Sequence, residues 1–192
     1  DSDGIFLDHE KFLKLEEEIE KITSEDIILK FIQYKDSSRE SINQHVDSIL
    51  NLSINHFNLV KQRKIKVVID CVNGATSKAL PLLLNKLNCE VIKIYSDYNE
   101  EFGRSPEPIP SNLKELSQHV ISNNADLGLA TDPDGDRLSI IDNKGIPLGE
   151  ELTLSLCVYY FLKYFPTKRK HPIVTNLSTS MLSESIAKEY NT

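Results

Sequence analysis

Ile65-Lys66-Val67-Val68-Ile69-Asp70-Cys71-Val72-Asn73-Gly74-Ala75 decides how the chain is read. The first six residues are short and β-branched and end on an aspartate, which predicts a strand; Asn73-Gly74 then supplies a tight turn. A helical pattern from Thr76 to Leu87 follows, and Glu90-Val91-Ile92-Lys93-Ile94-Tyr95 is the next strand. A strand-helix-strand unit of this length implies a parallel pair with a right-handed crossover. Further on, Asp126-Leu127-Gly128-Leu129-Ala130 and Leu138-Ser139-Ile140-Ile141-Asp142 predict two more strands, the last closed by the turn Asn143-Lys144-Gly145. Between them and the first pair lies a helix predicted over 111–123, with Ser111 as N-cap and Leu113, Leu116, Val120 and Ile121 as its buried stripe. The expected fold is α/β: a three-layer α/β/α domain around a mostly parallel, four-stranded mixed sheet.

On the N-terminal side, Phe12, Leu15, Ile19 and Ile22 recur at helical spacing over 9–22, and Glu16, Glu17, Glu18 and Glu20 form a solvated face. Tyr34-Lys35-Asp36-Ser37-Ser38 reads as a linker. Ser38 is expected to cap a helix with the stripe Ile42, Val46, Ile49 and Leu50, and Phe57, Leu59 and Val60 suggest a short third one. The stretch 96–110 has no period and holds Pro106, Pro108 and Pro110, so it is a loop. Beyond Gly149 come a helix over 152–164, a basic turn Lys168-Arg169-Lys170, a strand Pro172-Ile173-Val174-Thr175 and a helix from Ser180, which together read as the start of a second, similar domain.

Several function classes are disfavoured by composition. The 192 residues include 40% apolar ones, enough for a core, while a formal net charge of −7 argues against a nucleic-acid partner. No apolar run approaches the roughly 18 residues a membrane span needs, and Asp1-Ser2-Asp3-Gly4 carries no secretory signal pattern. Cys71, Cys89 and Cys157 are widely spaced, form no zinc pattern and read as reduced thiols of a cytoplasmic protein, with Cys157 expected to be buried. Both chain ends look arbitrary, which suggests a fragment.

The chemistry is concentrated in Asp132-Pro133-Asp134-Gly135-Asp136-Arg137. Aspartates at i, i+2 and i+4 gather carboxylates on one side of an extended segment, as a hard divalent cation requires. Arg137 adds a planar cation that can bind a phosphate through two hydrogen bonds. In the bland alternative, Asp132 and Asp134 only cap backbone amides. An EF-hand is excluded, because Arg137 and Asn143 stand where it needs glycine and glutamate. The haloacid-dehalogenase type of phosphotransferase, with Asp132 as nucleophile, fits less well because Asp136 occupies the place of its Thr or Val.

The run from Ala125-Asp126-Leu127-Gly128 through Arg137 resembles the end of the second domain of the α-D-phosphohexomutases, the phosphoglucomutase and phosphomannomutase family. Val67 to Ala75 is similar to that domain's first strand and turn, Phe102-Gly103-Arg104-Ser105-Pro106-Glu107-Pro108 to its P-E-P loop, and Pro147-Leu148-Gly149-Glu150-Glu151 and Thr175-Asn176-Leu177-Ser178-Thr179-Ser180 to the start of its third domain. The resemblance implies that residues 1–36 are the tail of a first domain, 37–147 the second and 148–192 the beginning of the third. It implies interconversion of hexose 1-phosphate and hexose 6-phosphate through a phosphoserine enzyme and a hexose 1,6-bisphosphate. Mg2+ would be held by Asp132, Asp134 and Asp136, with Asp136 and Arg137 meeting the phosphosugar and Arg137 steadying the transferring phosphate. The family's T-A-S-H-N-P serine loop is absent from the sequence, so missing domains of the same polypeptide are the expected partners and the chain alone is expected to be inactive. Which hexose is used (glucose, mannose or glucosamine) would be set by a third-domain loop that is also absent. Ser178 and Ser180 are better read as caps of the following helix than as nucleophiles. A noncatalytic cation-binding or interaction module is the alternative from another class.

Overall fold

The computed structural model describes residues 4–22, 36–52, 57–97, 101–165 and 172–192. Part of the expected linker, Tyr34 and Lys35, and the basic turn Lys168-Arg169-Lys170 lie outside the described residues. The chain divides into two units, 1–37 and 38–192. In the first, α1 (His9–Glu20) is capped by Asp8, whose carboxylate accepts from the Lys11 amide at 2.9 Å. Its stripe of Phe12, Leu15, Ile19 and Ile22 is about half exposed.

The second unit is built on a four-stranded sheet in the order β2-β1-β3-β4. Its strands are β1 (Lys66–Asp70), β2 (Glu90–Ile94), β3 (Leu127–Thr131) and β4 (Leu138–Ile141). β1 runs parallel to β2 and β3, and β4 is antiparallel to β3. The helices are α2 (Ser38–Leu50), α3 (Phe57–Arg63), α4 (Thr76–Lys86), α5 (Lys114–Ser122), α6 (Gly149–Tyr164) and α7 (Met181–Glu189).

Period-2 alternation along β1 splits the core in two, since successive side chains point to opposite faces. Val68 packs with Leu113, Leu116, Val120, Ala130 and Ile141 under α5. Val67 and Ile69 pack on the other face with Leu84, Leu87 and Cys89, joined by half-buried Leu50, Phe57 and Val60. Helices thus cover both faces of a mostly parallel sheet, the expected α/β/α arrangement.

α5 approaches the sheet where β3 offers a glycine. A Cβ on Gly128 would lie 2.8 Å from Val120 Cγ2 and 3.1 Å from Ile141 Cβ. Gly128→Ala is therefore expected to lower stability by about 1–3 kcal/mol through overpacking, read as a lower urea midpoint with unchanged slope.

Five expectations need correction. Ser38 is the first residue of α2 rather than the residue before it, because the helix begins one position earlier than a cap at Ser38 would allow. Pro172 to Thr175 form no strand, and Val174 is almost fully exposed: a strand needs ladder partners, and no strand among the described residues lies beside this segment. Cys157 is exposed, whereas Cys71 and Cys89 are buried. The reason is that α6 is apolar around much of its circumference but packs on only part of it, leaving Leu152, Leu154, Leu156 and Tyr160 exposed as well. Ile121 is exposed, because α5 turns only Leu116 and Val120 inward, with Leu113 just before it. Ser111 lies in a 3-10 turn, Pro110–Asn112, and α5 starts after Leu113 without a side-chain cap. Pro110 presets the φ of that turn. Ser180 does cap α7, accepting from the Leu182 amide at 3.2 Å. Among the described residues no helix is long and apolar enough to cross a membrane.

Candidate metal centre

In a sheet with parallel strands, ligands bind beyond the carboxyl ends of those strands. The register places Asp70 of β1 opposite Ile94 of β2 and Ala130 of β3, so all three strands finish at one edge. The β1–α4 turn and the loop Asp132–Arg137 both leave from that edge. They are joined directly: the Ala75 amide donates to the Pro133 carbonyl at 2.8 Å, and the Thr76 and Thr131 hydroxyls share a hydrogen bond of 2.6 Å. The turn is tight enough to force Val72 to φ 48° and Asn73 to φ 57°. A β-branched residue there is strained, and the Asp70 carboxylate helps hold it by accepting from the Val72 amide at 2.9 Å.

The loop brings the three aspartates together. One carboxylate oxygen from each of Asp132, Asp134 and Asp136 lies within 4.8 Å of the others. Asp132 is buried; Asp134 and Asp136 are exposed. Asp132 Oδ1 accepts from the amides of Gly135 at 3.0 Å and Arg137 at 3.2 Å, and Oδ2 from Arg137 Nε at 2.7 Å. Asp132 therefore does cap amides, as the bland alternative supposed, while Asp134 caps none among the described residues. Gly135 at φ 81° has no room for a Cβ, which would meet the Thr76 methyl at 2.4 Å.

The charges respond to this crowding. Burial pushes the Asp132 carboxyl up, but the hydrogen bonds from Arg137 outweigh it and hold it below its ordinary range. The hydrogen bond to Asp132, with repulsion from Asp134 and Asp132, raises Asp136. A donor set of three hard oxygens, two of them exposed and mutually repelling, fits a divalent cation of the Mg2+ class.

Two residues that sequence reasoning did not single out complete the surroundings. Arg104, almost fully buried, donates from Nε to Asp70 Oδ2 at 2.7 Å, and its terminal nitrogens donate to the carbonyls of Ser105, Pro106 and Thr131. It ties β1, β3 and the loop before α5 together beneath the acidic loop. The signal available was Asp70: a carboxylate closing an apolar strand needs a cation when buried. Burial pushes the Asp70 carboxyl up, opposed by the hydrogen bond and charge of Arg104. The second residue is Glu107, whose carboxylate meets both terminal nitrogens of Arg137. Beside Asp136 and Arg137 opens a cleft of about 440 Å³, lined further by Glu150, Asn176, Ser178 and Ser180.

A sequence profile described as phosphoglucomutase/phosphomannomutase, alpha/beta/alpha domain II, matches residues 43–145. The chain belongs to this family. A probable phosphoglucosamine mutase of Methanopyrus kandleri is 31% identical over 98% of this chain and 40% of its own length. A phosphoglucomutase/phosphomannomutase of Thermococcus kodakarensis is 34% identical over 89% of the chain and 34% of its own length. A solved phosphoglucomutase/phosphomannomutase family protein of Burkholderia thailandensis covers 64% of the chain and 26% of its own, at 27% identity and a TM-score of 0.54. A putative phosphomannomutase from Thermus thermophilus covers 78% of the chain and 33% of its own, with a TM-score of 0.62; its 23% identity speaks for the fold alone. This member of the phosphoglucomutase/phosphomannomutase family thus spans two fifths or less of the length of these relatives.

Proposed function

We propose that this chain contributes the Mg2+-binding loop of a phosphohexomutase, the enzyme class that moves a phosphoryl group between C1 and C6 of a hexose phosphate. In this reading residues 37–147 are its second domain, 1–36 the tail of the first and 148–192 the beginning of the third. The observation that carries it is the convergence of Asp132, Asp134 and Asp136 at the carboxyl edge of the sheet, in a chain that belongs to this family. Asp132, Asp134 and Asp136 would hold the ion. A bound Mg2+ supplies charge neutralisation on the oxygens of a transferring phosphoryl group. Asp132 is kept oriented by two amides and Arg137, so one ligand is fixed before the ion arrives. Arg137 uses three of its five N–H donors on Asp132 and Glu107, which leaves one on each terminal nitrogen for phosphate oxygens. The cleft beside Asp136 and Arg137 would receive the phosphosugar, a hexose phosphate or hexose 1,6-bisphosphate. The phosphoserine that such chemistry requires would come from other domains of the same polypeptide, and the chain alone is expected to leave hexose phosphates unchanged. Its three free thiols support a cytoplasmic setting.

Family membership weighs against the haloacid-dehalogenase-like reading. That reading places Thr or Val where this chain has Asp136, whose carboxylate joins those of Asp132 and Asp134. Titrating the chain with Mn2+ and following water-proton relaxation tests the cation site. One site is expected, and Asp134→Ala is expected to weaken it by more than the ~10–100-fold typical of losing an outer partner. Equal binding by both proteins would refute the proposal.

A further inference from the structure

Arg137 lies against the acidic loop it belongs to, and a guanidinium there could take the place of a cation as readily as help one. Its Nε is 2.7 Å from Asp132 Oδ2 and only 3.6 Å from Asp136 Oδ1. What keeps the side chain on the flank of Asp132 is visible on its other edge, where Glu107 faces both terminal nitrogens in a fork-to-fork pair. Glu107 is itself held in place. Pro106 and Pro108 flank it, and Pro108 is fully buried. Arg104 donates to the Pro106 carbonyl at 3.0 Å, and Asn112 Nδ2 donates to the carbonyl of Glu107 at 2.9 Å. The remaining anion near the terminal nitrogens, Glu150, stands off at 3.8 Å.

We propose that Glu107 is a positioning residue for the cation site: by fixing Arg137 it orients Asp132 and keeps the guanidinium out of the space between Asp132, Asp134 and Asp136. The consequence for ion binding rests on the cation reading above, whereas the hold of Glu107 on Arg137 does not. Without the Glu107 carboxylate, the guanidinium is left between Glu150, 3.8 Å from one terminal nitrogen, and the aspartate cluster, where Asp136 is 3.6 Å from Nε, with only its Nε hydrogen bond to hold it to the flank of Asp132. Arg137 would then compete with the ion for the same oxygens.

A double-mutant cycle with Mn2+ as probe separates this from a simple loss of negative charge. Glu107→Gln is expected to weaken Mn2+ binding by about 10–100-fold, with little change in urea midpoint because the pair is half exposed. Glu107→Asp, which keeps the charge on a shorter arm, is expected to restore only part of the affinity. In an Arg137→Met background, Glu107→Gln is expected to leave Mn2+ affinity nearly unchanged. An equal loss with and without Arg137 would mean that Glu107 acts only through its field and would overturn the proposal. So would undiminished affinity in the single variant. The second readout is the solvent exchange of the Arg137 Nε proton by nitrogen-15 spectroscopy, expected to be slow in the wild type and fast in Glu107→Gln. Should the wild-type chain bind no Mn2+, the cation reading fails while this exchange still decides the role of Glu107. Equally slow exchange in both proteins would remove that role.

Discussion

Replacing Arg104 with leucine is expected to destabilise the chain by about 3–5 kcal/mol at neutral pH, the range for stripping one partner from a buried ion pair. The side chains of Asp70 and Arg104 are each more than nine-tenths buried, and the guanidinium also satisfies three carbonyls that leucine cannot reach. The deficit should depend on pH in a definite direction. Burial already holds the Asp70 carboxyl above its ordinary range, and loss of Arg104 removes the two influences that lower it most. The native state would then hold the proton more tightly than the unfolded chain, where an aspartate titrates near ~3.9. Stability therefore falls as pH rises from that value to the native one, so the deficit is smaller in acid, where the loss of the carbonyl hydrogen bonds remains, and fully developed at neutral pH. Urea midpoints of wild type and Arg104→Leu measured across this range check both points. A pH-independent deficit would show that Asp70 is not the group left exposed to the loss.

The second large effect is expected at Gly74, where the β1–α4 turn touches the acidic loop. A Cβ built there would lie 2.3 Å from the Pro133 carbonyl oxygen and 2.7 Å from its Cα. These are backbone atoms held by the Ala75 amide, so they cannot swing aside like the tip of a side chain. Gly74→Val should cost at least the upper part of the ~1–3 kcal/mol typical of overpacking. It should also push Pro133 away and loosen the aspartates on either side of it, weakening Mn2+ binding by about 10–100-fold, as loss of outer support does. Urea denaturation and Mn2+ relaxation on one sample separate the two effects. A variant that loses stability but keeps its Mn2+ affinity would uncouple the turn from the site.

Much of the sheet was legible because its signals are short-range. β1 to β4 all fall within one residue of their expected limits, since β-branched runs and bounding turns are properties of neighbouring residues. The core stripe of α5 was read correctly at Leu116 and Val120 and wrongly at Ile121, one position around the helix from the sheet. Cys157 failed for a related reason: an apolar helix can be recognised in sequence, but how much of it is covered depends on what packs there. The segment 172–175 has the composition of a strand and lacks a partner, and hydrogen bonding to a neighbour is what makes a strand.

The sequence by itself determined that the chain is an α/β domain, that its acidity gathers in Asp132, Asp134 and Asp136, and which family it resembles, because periodicity and a three-aspartate spacing are written in consecutive residues. Only the tertiary structure decided what stands around that loop. Arg104 is 34 residues from Asp70 and Glu107 is 30 from Arg137, and Gly74 meets Pro133 across the carboxyl edge of the sheet. No local propensity encodes such pairs: they form because parallel strands ending at one edge bring loops distant in sequence within hydrogen-bonding reach.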